Sequence, residues 1–162
     1  MELDLTPRAV RESISEISEM ALPNDANPLG NLIGGKVMHL VDISAAIAAN
    51  RHARMPAVTA SVDHMTFLQP IHIGELITLR SSVNRAFNTS MEVGVKVWVE
   101  NLRTGVVRHC SSAYLTFVGI DANGQRVSVP PVIAETEDEK RRFQEAGERR
   151  KYRLQLRERR KQ

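Results

Sequence analysis

Residues 23–50, PNDANPLGNLIGGKVMHLVDISAAIAAN, indicate a loop followed by a helix, and we expect the rest of the 162-residue chain to be organised around them. Its loop part, residues 23–31, is rich in Pro, Asn, Asp and Gly, which favour turns. Gly34 and Gly35 follow, and apolar residues then recur at the three-and-four spacing of one helical face over about fifteen residues. The remaining faces are hardly more polar, which is typical of a buried helix. We therefore predict a long central helix.

One carboxylate, Asp42, interrupts this apolar helix. A buried carboxylate normally has a partner or a function, although a helix aspartate beside a polar loop is often salt-bridged or exposed. Asp42 and Gly35 point to nearly the same side of the helix and lie about 10 Å apart along its axis, at 1.5 Å per residue. One substrate carbonyl cannot reach both positions in one chain. A site that uses both would therefore take Asp42 from a second subunit.

The rest of the chain alternates apolar and polar residues in runs typical of β-strands. Residues 1–22 fit either a short helix capped at Thr6 or a turn followed by an edge strand, and we favour a strand from about Glu12. The later predicted strands are residues 57–67, 75–85, 90–100 and 106–120, with a polar connection at 51–56 and a short run at 127–129. One helix followed by long antiparallel strands predicts a curled sheet around that helix. The uncovered sheet edge and face favour dimerisation.

The charge is distributed unevenly along the chain. Residues 1–134 carry 11 basic and 12 acidic side chains, whereas residues 135–162 carry 11 basic and 7 acidic ones. We therefore predict one domain over 1–134, followed by a charged C-terminal helix and tail over 135–162 whose last ten residues fray. The near-neutral domain argues against a nucleic-acid-binding face.

Several classes of protein and site are disfavoured by simple absences in the sequence. No apolar run approaches the ~18 residues of a membrane span, and residues 1–10 lack the features of a signal peptide. The single Cys110, which we expect in the core, has no partner for an internal disulfide, so we expect a cytoplasmic location. The histidines lack metal-ligand spacing, and no serine stands in a Gly-x-Ser-x-Gly elbow.

A series of residues around the predicted helix resembles the acyl-coenzyme A thioesterases of the hotdog fold, particularly the cytosolic acyl-CoA hydrolase branch. The series is Pro23, Asp25, Asn27, Gly30, Gly34, Gly35, Met38 and Asp42, and segments 62–70, 89–93 and 113–118 agree with it. The resemblance covers roughly residues 12 to 145. It implies an α+β fold with a long central helix wrapped by a curved antiparallel sheet of five to six strands. It also implies homodimers, often trimers of dimers, and acyl-CoA hydrolysis without metal or cofactor.

The resemblance also implies roles for individual residues. Asn27 and Asp42 occupy the catalytic positions, and Gly34 and Gly35 match the glycines at the helix start. Unpaired N–H groups at a helix start can stabilise an oxyanion, so we expect the Gly35 amide to hold the thioester carbonyl. The alternatives are that the glycines only permit a tight turn and that Asn27 only forms a turn beside Pro28.

Further substrate contacts are implied at the segment Thr89–Ser90, which matches a region near the bound nucleotide. His64 is a candidate for lining the site, with a structural histidine as the alternative. Ile33 stands where relatives tend to carry an aromatic residue, which bears on acyl-chain preference.

Two other functions fit the same fold. A hotdog dehydratase normally has a histidine at or near the helix start, whereas His39 lies inside the predicted helix. A sensor module would bind acyl-CoA without hydrolysing it. For the basic tail, a solvated helix is the first interpretation, a cap on a neighbouring subunit the second, and contact with coenzyme A phosphates the third.

Overall fold

The computed structural model describes residues 3–161. Its strands are β1 (Arg8–Ala9), β2 (Ser15–Met20), β3 (Ala57–Val62), β4 (Leu76–Ala86), β5 (Ser90–Glu100), β6 (Val107–Gly119) and β7 (Val132–Ile133). Its helices are α1 (Gly34–Ala53) and α2 (Glu137–Arg159). Short 3-10 turns, Val10–Glu12 and Pro23–Asp25, precede β2 and α1.

Five strands form one antiparallel sheet in the order β2-β4-β5-β6-β3, and β1 pairs with β7 in a small parallel sheet. All five strands contact α1, which lies in the hollow of the sheet. Bulges at residues 59–61, 83–85 and 97–98 interrupt the register, and such bulges bend strands. The predicted architecture, a long helix wrapped by a curved antiparallel sheet, is confirmed.

The two faces of the sheet have different partners. Because successive side chains of a strand point to opposite faces, alternate residues of β5 reach the inner core. These are Met91, Val93, Val95, Val97 and Val99, all of which are buried in the core cluster with α1. The residues between them face outward, and Ser90 and Glu92 among them contact α2. Helix α1 therefore lies on the inner face and α2 on the outer face.

Helix α1 is longer than its periodicity predicted. It extends through residues 51–53, which belong to the predicted polar connection 51–56. Two residues of this last turn, His52 and Ala53, are fully buried, and their burial favours the longer helix. It ends where Arg54 adopts a left-handed φ of 55° and its N–H bonds to the carbonyl of Asn50 at 2.9 Å. Such a residue is a common helix terminator.

Two predicted strands are partly wrong. Strand β3 ends at Val62, and residues 63–67 leave the sheet. The short run at 127–129, for which no strand was predicted, lies outside the sheets, and the N–H groups of Val127 and Val129 bond to the carbonyls of Gly119 and Asn88. The first long strand begins at Ser15, after a 3-10 turn that occupies Val10–Glu12.

Helix α2 begins with a capping box, in which Thr136 accepts from the N–H of Glu139 and Glu139 accepts from the N–H of Thr136. The predicted charged C-terminal helix is present, but one part of it is packed against the sheet where a fully solvated helix was expected. The helix continues to Arg159, and Ala146 is fully buried against the rest of the chain.

Candidate functional site

The loop before α1 is held by the side chain of Asn27. Its Oδ1 accepts the N–H of Leu29 at 2.9 Å and the N–H of Asn31 at 3.1 Å. An asparagine oxygen that binds the backbone two residues on forms an Asx turn, so Asn27 does form a turn as the structural alternative supposed. These bonds do not involve the side-chain NH2 group of Asn27, which donates to no protein atom among residues 3–161. Asn27 can therefore still donate to an external oxygen.

A second layer of contacts braces this loop from the opposite side. The ring of His72 bonds through Nδ1 to Oδ1 of Asn31 at 2.9 Å. The backbone N–H of His72 donates to Oε2 of Glu75, which also accepts from Arg108 at 2.7 Å. The guanidinium of Arg108 holds the pKa of the Glu75 carboxyl below its usual range. The loop position of Asn27 is thus tied to a partly buried ion pair.

The start of α1 presents two unpaired amides. Ile33 donates its N–H to Asp25 and Lys36 donates to Ile33, whereas Gly34 and Gly35 donate to no acceptor in the described part of the chain. Neither glycine has a positive φ, so the turn does not require glycine at either position. A Cβ on Gly35 would meet no atom within 4 Å, and a Cβ on Gly34 would lie 3.4 Å from the Phe67 ring. Glycine at 35 leaves open space beside its amide.

The carboxylate of Asp42 has one partner that the sequence analysis missed. Thr59 on β3 donates its hydroxyl to Oδ1 of Asp42 at 2.6 Å. The other oxygen of this half-buried carboxylate accepts from no protein group within residues 3–161. The only sequence signal for this pair is that β3 follows α1 after a short connection and must return along it. Asp42 is therefore oriented but still available for chemistry.

The other predicted contacts lie at opposite ends of α1. His64 is exposed just beyond β3, with Nε2 3.0 Å from the hydroxyl of Thr66, and the chain then brings Phe67 to the helix start. Thr89 accepts the N–H of Gly119, which pairs with Ala57 just after the other end of α1. The hydroxyl of Ser90 binds Arg150 at 3.1 Å. Within one chain, Asn27, Gly34 and Gly35 therefore lie together. Asp42, Thr89 and Ser90 lie away from them.

An apolar surface borders these groups, and we call it the open face. It consists of Met38 and Ile43 on α1, Val58 and Val62 on β3, and Phe67 and Leu68 beyond β3, which are 39% to 61% exposed. Strand β3 stands at the end of the strand order and pairs only with β6 among the described strands. A long apolar surface beside an unpaired strand edge is typical of an association site.

Other features of the structure lie away from these residues. Cys110 is fully buried, as predicted, and burial raises the pKa of its thiol. A cavity of about 430 Å³ on the outer face is lined by residues such as Arg80 and Trp98 and by none of the predicted site residues. Within residues 3–161, no group of three or more His, Cys, Asp or Glu is arranged to hold a metal ion. No helix in this part is long and apolar enough to cross a membrane.

Comparison with known sequences gives consistent relatives. The family described as "Thioesterase superfamily" matches residues 29–106. The Bacillus subtilis protein named "Uncharacterized acyl-CoA thioester hydrolase YkhA" is 42% identical over 132 residues, which are 82% of this chain and 77% of that protein. The mouse "Acetyl-coenzyme A thioesterase" is 39% identical over 139 residues, or 86% of this chain. The chain spans 25% of the length of that mouse protein.

Solved structures agree over nearly the whole chain. An acyl-CoA hydrolase from Bacillus cereus has a TM-score of 0.92 at 35% identity and covers 96% of this chain and 95% of its own. One from Staphylococcus aureus, in complex with butyryl coenzyme A, coenzyme A and coenzyme A disulfide, has a TM-score of 0.89 at 33% identity, with the same coverage. A structure described as an apo-hexameric acyl-CoA thioesterase has a TM-score of 0.89 at 36% identity and covers 93% and 97%.

Proposed function

The chain belongs to the acyl-CoA hydrolases of the thioesterase superfamily, with the hotdog fold that its sequence predicted, and we propose that it hydrolyses acyl-CoA thioesters to free fatty acid and coenzyme A. One observation carries the proposal. Helix α1 presents its single carboxylate, which Thr59 orients, and two amides at its first residues that have no acceptor in the described part of the chain. A carboxylate and free helix-start amides are the groups that carbonyl hydrolysis needs.

Each group has a defined task in this proposal. The Gly35 amide, with Gly34 beside it, donates to the thioester carbonyl oxygen, on which negative charge develops. The free NH2 group of Asn27 donates to the same oxygen or to the attacking water. Asp42 accepts a proton from that water, or attacks the carbonyl carbon itself and is released by water. Hydroxide adds to the carbonyl carbon, the carbon–sulfur bond breaks, and the departing sulfur takes the proton.

The proposed site is shared between two subunits. Gly35 and Asp42 lie about 10 Å apart along one helix, at 1.5 Å per residue, so one carbonyl cannot contact both within a chain. We propose that a second copy covers the open face by pairing along the free edge of β3. Asp42 of one subunit then meets Asn27 and Gly35 of the other. Three such dimers form the hexamer, as the similarity to a hexameric thioesterase suggests.

Substrate contacts complete the proposal. We assign contacts with the coenzyme A part to Thr89 and Ser90, and contacts near the thioester to Gly34 and His64. Residues 1–134 form the catalytic unit in this scheme, and residues 135–162 brace it. The reaction uses no metal or other cofactor and no nucleic acid or membrane partner. We place it in the cytoplasm, because the lone Cys110 gives the chain no internal disulfide.

Release of free thiol from acyl-CoAs of increasing chain length tests the proposed activity. We expect thiol release from at least one chain length, in proportion to enzyme concentration. A sensor module would bind acyl-CoA, as seen by calorimetry, without releasing thiol. A dehydratase would remove water from a 3-hydroxyacyl-CoA and leave the thioester intact. Either of these two results would refute hydrolysis.

Complementation tests the shared site. The inactive variants Asn27→Ala and Asp42→Asn are mixed, dissociated and reassembled. Each mixed dimer then has one site with both lesions and one with neither. Random pairing makes half of the dimers mixed, so about a quarter of wild-type activity should return by symmetry. Each variant reassembled alone is the control. If mass spectrometry shows exchanged subunits and no activity returns, both residues serve one subunit's site.

A further inference from the structure

A fully buried carboxylate lies on the outer face of the sheet. Glu92 on β5 has no exposed surface, and it accepts from Asn84 at 3.0 Å, from Arg149 at 2.7 Å and from Arg153 at 3.1 Å. A Cβ at position 94 would lie 2.8 Å from the Asn84 amide, so Gly94 makes room for this contact. A buried carboxylate without its cations is strongly destabilising, so Glu92 holds α2 on the sheet.

The two arginines on Glu92 differ in what else they contact. The guanidinium of Arg149 stacks on the ring of Tyr114, 3.7 Å from its centroid, and therefore stays on the outer face. Nη1 of Arg153 is shared between Glu92 and Oδ2 of Asp63, which it contacts at 2.7 Å. Both partners of the Arg153–Asp63 pair are only about one-fifth exposed. Screening by solvent is correspondingly weaker than for a surface pair.

Asp63 lies along the chain between the two sets of groups that one subunit contributes, each to a different shared site. It is the first residue after β3, and its N–H bonds to the carbonyl of Tyr114 at 2.9 Å. Four residues before it, Thr59 orients Asp42. Four residues after it, Phe67 lies against Gly34 at the start of α1. A shift of Asp63 would therefore move both the partner of the carboxylate and the wall of the helix start.

We propose that Arg153 is a positioning residue for thioester hydrolysis, because it fixes Asp63 and thereby segment 59–67. This segment lies between the two sets of groups that one subunit contributes to the two shared sites. The inference rests on the proposed function, since it concerns the geometry of that site. Arg153 touches no substrate and acts only through Asp63. It couples α2 on the outer face to the chemistry on the inner face.

A pair of variants separates this role from simple stabilisation. Arg153→Met and Arg149→Met each remove one cation from Glu92 and leave the other in place. Arg149 makes three of the hydrogen bonds to Glu92 and Arg153 makes one, so Arg149→Met should lower the melting temperature at least as much. We expect Arg153→Met to lower kcat about tenfold with little change in KM, because misplaced catalytic groups cost rate. Arg149→Met should keep kcat within about twofold of wild type, since its side chain contacts Glu92 and the Tyr114 ring and makes no bond to Asp63 among the described residues.

Arg153→Lys provides the rescue. One nitrogen of Arg153 serves both carboxylates, and an ammonium group has three donors that can do the same. We expect this variant to recover kcat to within about threefold of wild type, as the charge and the shared donor are retained. Failure of rescue together with equal losses in both Met variants would show a clamp on α2 and nothing more.

Hydrogen exchange provides a readout that does not need activity. Amides of residues 63–68 should exchange roughly tenfold faster in Arg153→Met than in Arg149→Met, because local opening of that segment becomes easier. Unchanged exchange and unchanged kcat in Arg153→Met would overturn the proposal. If the wild-type protein releases no thiol from any acyl-CoA, the proposed function fails. The exchange result then decides by itself whether Arg153 fixes the segment.

Discussion

The two helices of this protein pack on the same sheet by opposite means. Helix α1 lies in the hollow of the sheet through apolar residues such as Val37, Val41 and Ala45, all of them buried. Helix α2 lies on the outer face through charged side chains, with Arg149 and Arg153 meeting the buried Glu92. Further arginine–aromatic contacts, such as Arg150 over the Phe87 ring at 4.2 Å, complete that interface.

The two helices therefore have different main tasks, since α1 carries Gly35 and Asp42 of the proposed site and α2 stabilises the sheet from its outer face. Apolar burial is non-directional, so α1 can spare one polar position, Asp42, for the proposed reaction. The polar contacts of α2 are directional, and their main effect is to hold α2 on the sheet. A change at Asp42 in α1 should therefore act mainly on rate. Loss of α2 should act mainly on stability, apart from the effect on kcat proposed for Arg153.

The largest effect is expected from deleting residues 147–162. A solvated tail would tolerate this truncation, but in the structure it removes Arg149, Arg150 and Arg153 and leaves Glu92 with Asn84 as its remaining partner among those described. We expect the free energy of unfolding to fall by roughly 3–5 kcal/mol, the cost of stranding a buried charge. Urea denaturation followed by circular dichroism measures it. Deleting only residues 157–162 is the control, and equal stability of both truncations would show that α2 is not needed.

A rate effect without loss of stability is expected for Asp42→Asn. Turnover should fall by a factor of about 10² or more, because an amide can neither accept the proton nor attack. The amide oxygen can still accept from Thr59, so the melting temperature should stay close to wild type. Asp138→Asn on the exposed first turn of α2 is the matched control and should not change kcat. Near-normal turnover of a folded Asp42→Asn protein would remove Asp42 from the mechanism.

Thr59→Val sharpens the comparison from the strand side. Valine keeps the branched shape and removes the hydroxyl that orients Asp42. We expect kcat to fall about tenfold, the price of roughly one lost hydrogen bond to a charged group, while KM changes little. Thr59→Ser keeps the hydroxyl and should restore most of the rate. Equal kinetics for the valine and serine variants would mean that the hydroxyl does not orient Asp42.

The smallest effect concerns the pH dependence of the α1 packing. His52 near the end of α1 is fully buried and bonds through Nε2 to Pro130, and its Nδ1 has no partner within residues 3–161. Burial lowers its pKa below the usual value. The unfolded chain therefore binds a proton more readily, with a pKa of about 6.5. Stability is full above that pH and is lost as the pH falls towards the folded pKa.

We expect His52→Gln to lose less stability than wild type between pH 7 and pH 5, measured by urea unfolding at both values. The arginines that hold α2 stay charged throughout this range and do not contribute to the difference. His39→Gln is the control, because His39 is exposed on the same helix. Identical pH slopes for His52→Gln and wild type would show that the buried ring does not titrate on unfolding.

Local periodicity accounts for the parts of the fold that could be predicted. Strand β5 was predicted at residues 90–100 and has those bounds, because valines recur at every second position from 93 to 99. Helix α1 was predicted from its apolar spacing, but its last turn was missed because Arg51 and His52 look polar. Strand β3 was predicted too long, because Met65 and Phe67 alternate again with polar residues after Asp63 and His64, while the chain turns towards Gly34.

The candidate site was predicted only in part, for a related reason. Asn27, Gly34 and Gly35 are close in sequence and share one loop and helix start in the structure. Thr59 could not be found, because its bond to Asp42 joins two elements and follows no spacing rule. The structure also limits the proposed role of Asn27 to donating a hydrogen bond, since its side-chain oxygen already accepts from two N–H groups of the loop.

Sequence periodicity indicates which face each residue presents, because the periods of 3.6 and 2 follow from backbone geometry. The sequence accounts for the helix, most of the strands and the charged C-terminal segment. What covers each face depends on tertiary contacts. In the sequence, Glu92 is an ordinary outward-facing position of β5. In the structure it is buried by contacts with Arg149 and Arg153, which lie about sixty residues later in the chain. Burial depends on contacts between distant segments, and the energy of a charge depends on that burial far more than on its neighbours in sequence.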